Sequence, residues 1–414
     1  MSDELRTVEE QVARVLAEVA PTAAESVPLA QAQGRTLQRD VRAAVDIPVF
    51  DNSAMDGFAV RYADVAAADP QHPVTLRVVA DLPAGTALDP VLQAGEAARI
   101  MTGSPVPTSA DTIVPFEDTV GGLADSLTDV IVRHAPQATG VHLRRRAADA
   151  SVGDVIVAAG TALGPLQLSA AAASGVAVVS VHARPRVAVI STGSELVAAG
   201  EPLGRGQIPE SNGLLLAALA TDAGAEIVWR TSVDDTDAAF LEALRRAAEA
   251  RADIVITSGG VSAGAFEVVK NVLQGSDVAF SKVAMQPGKP QAFGRLPTGA
   301  LLFGLPGNPV SSAVSFEVFV RPALLRMQGR SEIYRPILRL PAASGWRTPP
   351  SRRQYLPAAI DRSDPARWTV RPATGGGSGS HLAGGLARAE AYAIVAAEID
   401  AVAEGDLVDV MLMA

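Results

Sequence analysis

Hydrophobic positions recur with two different periods along this chain, and the change of period divides it into regions. Near the N-terminus, apolar residues at helical spacing predict an amphipathic helix over residues 4–20. Thr7 and Glu10 there have the spacing of a capping box. Further along, short Val- and Ile-rich runs alternate with Pro, Gly and Asp turns, which predicts a small β domain; the runs are 75–80, 97–102, 112–116 and 130–134.

From about residue 184 the pattern alternates between short apolar strands and longer helical stretches. The predicted strands are 186–192, 226–232, 254–258, 277–285 and 300–305, and the predicted helices are 213–223, 237–250, 267–273 and 310–327. Strands of this kind separated by helices are typical of a doubly wound parallel sheet. Pro322 lies inside the last helical pattern and predicts a kink or an end there.

After residue 334 a strand pattern returns, at 337–340, 368–371, 392–395 and 407–413. We therefore predict a multidomain α/β protein, in which a central doubly wound sheet lies between an N-terminal helical and β region and a small, β-barrel-like C-terminal domain. The predicted domains are a discontinuous helical and linker domain (1–45 and 141–180), a small β domain (46–140), the α/β domain (181–328) and a C-terminal β domain (332–414).

Composition narrows the possible functions. The chain has 414 residues, of which 48% are hydrophobic and 19% charged, enough for several apolar cores. A net charge of −10 excludes generic binding to nucleic acid, although a local cationic cluster can still bind an anion. The absence of cysteine excludes disulfides and thiolate chemistry. With neither a signal peptide nor a long apolar run in view, we expect a cytoplasmic protein without a membrane segment.

Three predicted strands of the central domain end in glycine-containing loops with nearby hydroxyl groups. In an open parallel sheet, such loops gather at the carboxyl edge, where glycine lets a ligand approach the backbone N–H groups. The alternative for any single loop is ordinary turn chemistry, but three together favour phosphate or anion binding. The residues predicted to bind substrate there are Gly193, Ser194, Ser258, Gly259, Gly260, Ser262, Gly307, Asn308 and Ser311.

Carboxylates also follow strands of the central domain or lie in the turns after them. Asp234, Asp235 and Glu267, with Glu195, lie just beyond strands, where they could bind Mg²⁺ together with substrate phosphates. The alternative is that each is an acidic residue placed at a helix N-terminus. The loop Pro-Gly-Lys-Pro at 287–290 is not a Walker A motif, because proline follows Lys289.

Two polar turns lie outside the central domain, at 50–59 and at 99–107, and an arginine run occupies 144–146. Each turn is compatible with a plain structural role, and the arginine run is either a solvated charge cluster or an anion clamp. The histidines lack the spacing of metal ligands.

Taken together and in this order, six motifs resemble one family. They are the segments 51–60 (Asp-Asn-Ser-Ala-Met-Asp-Gly-Phe-Ala-Val), 99–107, 191–196, 257–264, 287–290 and 306–309. The chain resembles the molybdopterin molybdenumtransferases, bacterial molybdenum-insertion enzymes that are similar to the C-terminal domain of gephyrin. The resemblance covers nearly the whole chain.

The resemblance implies an activity. A member of this family inserts molybdate into the dithiolene of adenylylated molybdopterin, with Mg²⁺-dependent release of AMP. The resemblance also implies a homodimer, in which the site forms between the α/β domain of one subunit and the small β domain of the other. Transient contacts with a molybdopterin adenylyltransferase and with apo-molybdoenzymes would follow from the same role.

Matching positions carry the family's roles onto residues of this chain. The resemblance assigns catalytic roles to Asp56, Thr102, Asp149 and Glu195, metal binding to Asp234 and Asp235, phosphate contact to Lys289, and molybdate contact to Arg353 and Ser378. The chain departs from the family pattern at three points: Glu267 replaces a common Asp, Gln286 a frequent Lys, and Ala147-Ala148 the usual Gly-Glu.

Two other readings compete with molybdenum insertion. Related α/β domains occur in molybdopterin adenylyltransferases and in competence-damage-type pyrophosphatases, but the Ala-Met-Asp-Gly domain argues against a pyrophosphatase-like paralogue. A non-catalytic scaffold that binds molybdopterin or a nucleotide is the other alternative. The retained Asp56, Glu195 and Lys289 argue against it.

Overall fold

A computed structural model describes residues 5–121, 127–261, 268–374 and 383–413 of the chain. The predicted N-terminal helix is present as α1 (Val8–Ala17), and its capping box is formed. The Glu10 N–H donates to Thr7 Oγ1 over 3.1 Å, and the Thr7 N–H donates to Glu10 Oε2 over 2.8 Å. Val8 and Val15 are buried in the core of the central domain, so α1 packs there rather than against residues 24–45.

Short strands tie together the segments before and after the small β domain. β1 pairs with β12, β2 with β11 and β3 with β10, all antiparallel. This part of the chain contains β1 (Ala24–Pro28), β2 (Val41–Arg42), β3 (Asn52–Ser53), β4 (Gly57–Val60), α2 (Tyr62–Val65), β5 (Val74–Leu82), β6 (Glu96–Ile100), β7 (Thr112–Pro115), β8 (Thr119–Val120), β9 (Asp129–Val132), β10 (Leu143–Arg144), β11 (Val155–Val157), α3 (Pro165–Ala173) and β12 (Val178–His182).

The small β domain is a mixed sheet with the strand order β7-β4-β6-β5-β9-β8. β4 is buried along its whole length and pairs antiparallel with both β6 and β7. Because β4 begins directly after Asp56 and β6 ends just before Thr102, the sheet brings the two predicted polar turns together.

The central domain is the predicted doubly wound sheet, with the order β16-β13-β17-β21-β20-β18. Its elements are β13 (Arg186–Thr192), β14 (Leu196–Val197), β15 (Ile208–Pro209), α4 (Asn212–Asp222), β16 (Glu226–Val233), α5 (Asp237–Glu249), β17 (Ile254–Ser258), α6 (Val268–Leu273), β18 (Val278–Lys282), β19 (Met285–Gln286), β20 (Pro290–Arg295), β21 (Leu301–Leu305), α7 (Pro309–Ser315) and α8 (Arg321–Met327). The first four strands of the order are parallel to one another. β20 pairs antiparallel with both β21 and β18, so β20 runs against the other five strands and β18 runs with the first four.

Both faces of this sheet are covered. Along β13, Val187 and Val189 join one core with α4 and α7, while Ala188 and Ile190 join another core with α5 and α6. Alternate residues of a strand point to opposite faces, so a strand covered on both sides is apolar throughout. Burial on both faces of the sheet therefore explains the continuous runs of Val and Ile in the sequence.

The long C-terminal helix predicted over 310–327 is interrupted. Between α7 and α8 the segment Phe316–Val320 forms a π-helical turn, and Pro322 lies in the first turn of α8, where its missing N–H costs little.

The C-terminal domain closes into the predicted barrel-like shape. It contains β22 (Ile337–Pro341), β23 (Trp346–Arg347), β24 (Arg353–Asp361), β25 (Thr369–Pro372), α9 (Ala383–Leu386), β26 (Ala391–Val395), β27 (Ala401–Val402) and β28 (Leu407–Leu412). The strand order is β19-β24-β26-β28-β22, with β25 on β24, and a bridge between Ala342 and Val370 connects the two ends. The sequence pattern missed β24, the longest strand here.

Among the helices of the described ranges, none is long and apolar enough to cross a membrane.

Candidate active site

The loops that follow β13, β17 and β21 lie against one another at the carboxyl edge of the sheet. The Gly259 N–H donates to the Leu305 carbonyl oxygen over 3.0 Å. Gly259 has a φ of +99°, and a Cβ there would lie 2.6 Å from the backbone oxygen of Thr192. This close approach admits only glycine, because any side chain would displace the neighbouring loop.

Hydrogen bonds between side chains hold this edge in place. Asn212 Nδ2, at the start of α4, donates to Ser258 Oγ over 2.7 Å and to the Gly307 carbonyl over 2.5 Å. Ser312 Oγ donates to the Pro306 carbonyl over 2.5 Å. The sequence prediction began that helix at residue 213 and missed Asn212; the polar segment 210–212 before an apolar helix was the available sign.

Several buried oxygens beside these loops have no hydrogen-bond partner in the described part of the chain. They include Thr192 Oγ1, Thr257 Oγ1 and Asn212 Oδ1. Buried polar atoms are nearly always paired in folded proteins, so three orphaned oxygens at one sheet edge are typical of a ligand site.

A cavity of about 370 Å³ opens beside the loops, and we call it the cleft. Its lining comes from the central domain and from the start of β24: Gly260, Val261, Met285, Gln286, Pro287, Gly288, Lys289, Pro290, Pro306, Gly307, Asn308, Ser311 and Arg352. Five residues predicted to bind substrate are among them: Gly260, Lys289, Gly307, Asn308 and Ser311.

The charges of the cleft favour an anion. Lys289 and Arg352 contribute cations, and no Asp or Glu is among its described lining residues. Buried side chains fix the loop that carries Lys289, since Gln291 Nε2 donates to the Gly288 carbonyl over 2.6 Å and to Ser315 Oγ over 2.7 Å. The arrangement therefore suits a phosphate or another oxyanion.

Arg353, predicted to contact molybdate, is not among the residues that line the cleft. Its guanidinium forms an ion pair with Glu9 on α1, with Nη1 2.5 Å from Oε1. Parallel pairing of β19 with β24 places Arg353 opposite Met285. The preceding residue, Arg352, lines the cleft, and the sequence prediction did not select it.

The predicted acidic residues gather at the ends of β13 and β16. Ser194 and Asp235 bond reciprocally: the Ser194 N–H donates to Asp235 Oδ2 over 3.0 Å, and the Asp235 N–H donates to Ser194 Oγ over 3.1 Å. Asp234 Oδ1 accepts from the hydroxyl of Thr236, the N-cap of α5, over 2.6 Å. The Glu195 carboxylate folds back over Gly193, so a Cβ on that glycine would lie 2.7 Å from Oε2.

These carboxylates do not form a ready-made metal cage. Within the described ranges, no group of three or more His, Asp or Glu side chains is placed to hold a metal ion. Mg²⁺, however, is usually bound by one or two carboxylates together with substrate phosphates and water. Asp234 and Asp235 follow β16 at the same carboxyl edge of the sheet as the glycine loops, which is compatible with that pattern.

Asp56 and Thr102 meet on the small β domain. The Thr102 N–H donates to Asp56 Oδ1 over 2.6 Å. This backbone bond, with a further bond from the Thr102 side chain, lowers the pKa of the exposed Asp56 carboxyl below its ordinary value. Asp56 is therefore a charged carboxylate in a fixed turn. Backbone hydrogen bonds join the Asp56 turn to the Thr102 turn; one of them runs from the Gly103 N–H to the Ser53 carbonyl oxygen over 2.9 Å.

The arginine run at 144–146 is tied to acidic neighbours. Arg145 Nη1 donates to Asp51 Oδ2 over 2.6 Å, and the Arg146 N–H donates to Asp51 Oδ1 over 2.7 Å. The Arg146 guanidinium also pairs with Asp46. Asp149 is exposed, and its N–H donates to the Ile47 carbonyl over 2.9 Å. Two of the arginines therefore brace the loop that precedes the Asp56 turn.

Three predicted site residues, Ser262, Glu267 and Ser378, lie outside the described residues.

The fold and the cleft define a multidomain α/β protein with a cleft at the edge of its sheet that is lined by two cations. Three family models match it: "MoeA N-terminal region (domain I and II)" over residues 6–175, "Probable molybdopterin binding domain" over 188–326, and "MoeA C-terminal region (domain IV)" over 339–413. The chain belongs to the molybdopterin molybdenumtransferase family, which places it among the transferases of molybdenum cofactor biosynthesis.

The relatives support this membership over the whole length. Molybdopterin molybdenumtransferase 2 of Mycobacterium tuberculosis (strain ATCC 25618 / H37Rv) is 45% identical over 366 residues, covering 86% of this chain and 88% of that protein. Molybdopterin molybdenumtransferase 1 of the same strain is 35% identical and covers 99% of each chain. The crystal structure of a molybdopterin biosynthesis moeA protein from Pyrococcus horikoshii OT3 has a TM-score of 0.83 at 26% identity, covering 99% of this chain and 100% of that one.

Proposed function

We propose that this chain inserts molybdate into the dithiolene of adenylylated molybdopterin and releases AMP in a Mg²⁺-dependent reaction. The observation that carries the proposal is the cleft, where Lys289 and Arg352 face glycine-rich loops with no acidic lining residue in the described ranges. Both substrates are oxyanions, one a diphosphate and one molybdate, and a cationic cleft is what they have in common. The relatives' name, molybdopterin molybdenumtransferase, agrees with this reaction.

The residues of the cleft and of the neighbouring loops have different proposed roles. Backbone N–H groups of Gly260 and Gly307 approach the phosphates, and Lys289 neutralises their charge. Gly259, whose own N–H is bonded to the Leu305 carbonyl, lets the loop come close to its neighbours. Arg352, the residue directly before β24, provides the second cation needed for a second oxyanion. Ser194, Ser258, Asn308 and Ser311 complete the polar edge, and Ser262 belongs to the same proposed substrate set. Held in one site, the two substrates react without a bimolecular encounter.

Asp234 and Asp235 are the residues that would hold Mg²⁺, with Glu267 proposed as a third. When bound, the ion would neutralise negative charge on the diphosphate as AMP leaves. The bond between Ser194 and Asp235 orients one of these carboxylates toward the sheet edge. Glu195, held over Gly193 at the end of β13, is proposed to position the substrate beside it.

Asp56, Thr102 and Asp149 are proposed to complete the site from a second subunit. In this chain Asp56 and Thr102 bond to each other on the small β domain, whereas the cleft is built from the central and C-terminal domains. A homodimer that brings the β domain of one subunit to the cleft of the other would join the two halves. Arg353 and Ser378 stay proposed for molybdate contact, beside Arg352.

The remaining parts of the proposal follow from the reaction. A pathway enzyme with small anionic substrates would act in the cytoplasm. It would meet a molybdopterin adenylyltransferase that supplies its substrate and apo-molybdoenzymes that receive its product.

A defined insertion assay tests the proposal. Purified chain, adenylylated molybdopterin, molybdate and Mg²⁺ are mixed, and both AMP release and reconstitution of an apo-molybdoenzyme are measured. Asp56→Asn is the test variant. Asp69→Asn is its matched control, because Asp69 is another aspartate of the β domain bonded within its own turn.

We expect the wild type and the Asp69 variant to give both products and Asp56→Asn to lose at least about tenfold in rate, which corresponds to ~1.4 kcal/mol of barrier. AMP release without active cofactor would instead indicate a pyrophosphatase-like activity. Substrate binding with neither product would indicate a scaffold. Either outcome would overturn the proposal.

A further inference from the structure

A second, larger cavity lies on the C-terminal domain, away from the cleft. Its volume is about 640 Å³, within the range of roughly 300–1,000 Å³ that small-molecule sites have. We call it the barrel cavity, and its lining is Ser344, Gly345, Trp346, Ala359, Arg371, Pro372, Ala373, Thr374 and Arg388. None of these residues lines the cleft or belongs to the predicted site.

Two of the lining residues are the arginines Arg371 and Arg388. Arg371 lies on β25 opposite Ala359 of β24, and Arg388 follows α9. Neither forms an ion pair to a described carboxylate, whereas Arg362 pairs with Glu390 and Arg339 with Asp409 in the same domain. The neighbouring segment 375–382 contains no Asp or Glu, so its sequence offers no partner either.

Asp361 is the acid one would expect to neutralise Arg371, since it lies two residues beyond Ala359 on β24. Its carboxylate accepts the N–H of Ser363 over 2.9 Å, within its own turn. The bonds from Ser363, and to a smaller extent the charge of Arg371, lower the pKa of the Asp361 carboxyl, although Asp361 and Arg371 form no ion pair. No acidic side chain is among the described residues that line the barrel cavity. The two guanidinium groups outnumber the one carboxylate, Asp361, that interacts electrostatically with Arg371, which leaves a local excess of positive charge.

The charge of the surrounding domain agrees with this local excess. Residues 333–414 contain nine arginines and eight acidic residues, in a chain whose net charge is −10. The domain is therefore close to neutral and repels an anion less than the chain as a whole does.

An aromatic ring lines the same cavity as Arg371 and Arg388. Trp346 lines the barrel cavity, and its indole N–H donates to Gln354 Oε1 over 3.0 Å. Gln354 is 1% exposed, so this bond anchors the indole to the body of the domain. A fixed, partly exposed indole offers a flat apolar surface on which a planar ligand can stack. Ser344 and Thr374 add hydroxyl groups to the same wall.

We propose that the barrel cavity is a second oxyanion site that binds a phosphate-bearing small molecule with a planar ring, of the nucleoside monophosphate class. The phosphate contacts Arg371 and Arg388, because guanidinium groups match phosphate oxygens in charge and geometry. The ring lies against Trp346. The site is separate from molybdenum insertion, so its occupation does not require the cleft.

Fluorescence of Trp346 tests the proposal on the full chain. Inorganic phosphate, adenosine and AMP are titrated separately while tryptophan emission is recorded. The same titrations are repeated on Trp346→Phe, whose emission comes from Trp229 and Trp368. Subtracting that signal from the wild-type signal leaves the response of Trp346 and removes any change caused by AMP that binds in the cleft. We expect AMP to change the Trp346 signal at the lowest concentration, phosphate at a higher one, and adenosine not at all.

Charge-removing variants then locate the phosphate. Arg371→Gln with Arg388→Gln should weaken AMP binding at least about tenfold, or ~1.4 kcal/mol. Arg347→Gln with Arg367→Gln is the matched control, because it removes two exposed arginines of the same domain that do not line the barrel cavity. Circular dichroism and thermal unfolding check that each variant is folded.

Three results would overturn the proposal: no Trp346 signal with AMP, equal weakening in both double variants, or adenosine binding as tightly as AMP. A response only to a glutamate-rich peptide would also overturn it and would mark a protein contact. The insertion assay separates this proposal from the previous one. We expect the Arg371 and Arg388 variant to keep wild-type insertion, whatever the outcome at the barrel cavity.

Discussion

Single residues set how closely the loops of the cleft approach one another. Gly259 combines a φ of +99° with a neighbouring backbone oxygen 2.6 Å from where a Cβ would lie. The carbonyl of Thr192 belongs to the end of β13 and has little freedom to move. Both the backbone angle and the contact therefore require glycine at this position.

We expect Gly259→Ala to lower the thermal unfolding temperature and to weaken binding of oxyanions in the cleft. Gly275→Ala is the matched control, because its φ is +82° but nothing lies within 4 Å of its Cβ position. The stability of Gly275→Ala should fall only by the roughly 1–2 kcal/mol that a left-handed backbone angle costs an alanine. Thermal unfolding and molybdate binding measure the difference, and equal losses in the two variants would mean that the contact with Thr192 is unimportant.

Asp56 is the second residue for which the structure makes a testable prediction, because the pKa of its carboxyl group is shifted. Its pKa is lowered by the bonds from Thr102, so it stays charged below the ordinary aspartate pKa of about 3.9. A group with a lowered pKa contributes stability that is complete above its unfolded pKa and lost as the pH falls through its folded pKa.

Asp56→Asn should therefore be less stable than the wild type by a constant margin above about pH 4–5, and the margin should shrink below that. The measurement is the difference in unfolding temperature between the two proteins from pH 3 to pH 7. A margin that grows toward low pH would contradict the lowered pKa.

Among the secondary-structure elements, the interrupted helix α7–α8 carries a buried charged cluster. Glu317, in the π-helical turn, has a side chain only 2% exposed. It accepts two bonds from Arg335, at 3.0 and 3.2 Å, and lies 3.8 Å from Arg321. Burial, with the neighbouring Arg335, lowers the pKa of Arg321 to about 10. The cluster joins the central domain to the segment that leads into β22.

Glu317→Gln should cost about 3–5 kcal/mol, because it leaves two largely buried guanidinium groups without their carboxylate. Glu242→Gln is the control, since Glu242 pairs with Arg245 and Arg246 on the exposed face of α5, where solvent screens the pairs and their loss should change stability little. Thermal unfolding compares them. A small loss at Glu317 would show that the cluster is dispensable to the fold.

Pairing of β19 with β24 separates two neighbouring arginines. Arg352 lines the cleft, and Arg353 reaches Glu9 on α1. Arg352→Gln should raise the KM for molybdate at least about fivefold, since it removes a charge from the oxyanion site. If Arg353 acts only through α1, Arg353→Gln should change stability by less than ~1 kcal/mol and leave that KM unchanged. Steady-state insertion kinetics decide which arginine contacts the substrate.

At the scale of the whole molecule, the proposed site is divided between two subunits. The Asp56 turn lies on the small β domain, and Lys289 lies in the cleft. In a dimer with twofold symmetry, each of the two sites would take one half from each subunit.

Mixing Asp56→Asn with Lys289→Ala should then restore activity. Random exchange of subunits gives one intact site in each mixed dimer, or about a quarter of wild-type activity. The insertion assay measures this after subunits have been unfolded and refolded together, and each variant refolded alone is the control. If the mixture is as inactive as its components, the two halves of the site come from one chain.

Much of this architecture could be read from the sequence because it depends on local chemistry. The capping box of α1 needs only Thr7 and Glu10, three residues apart, and the continuous Val and Ile of β13 report burial on both faces. The glycine loops after β13, β17 and β21 were predictable for the same reason, since parallel strands bring their carboxyl ends to one edge.

Other features depend on partners far away in the chain, and local pattern could not predict them. The sequence pattern did not predict β24, because its partners lie far away in the chain. β26 follows it and β19 precedes it by tens of residues. The choice of Arg352 rather than Arg353 for the cleft depends on the position of β24 beside β19 and on Glu9, 344 residues away along the chain. The barrel cavity likewise needs β24, β25 and the turn after α9 to meet.

The sequence by itself determined the class of fold, the glycine-rich edge and the family, because these depend on residue types at short, fixed spacing. Only the folded chain determined which cations face the cleft, which acids are already bonded, and that two arginines of the C-terminal domain line one cavity without forming an ion pair in the described part of the chain. Charges act through space, and distances through space are set by packing rather than by order along the chain.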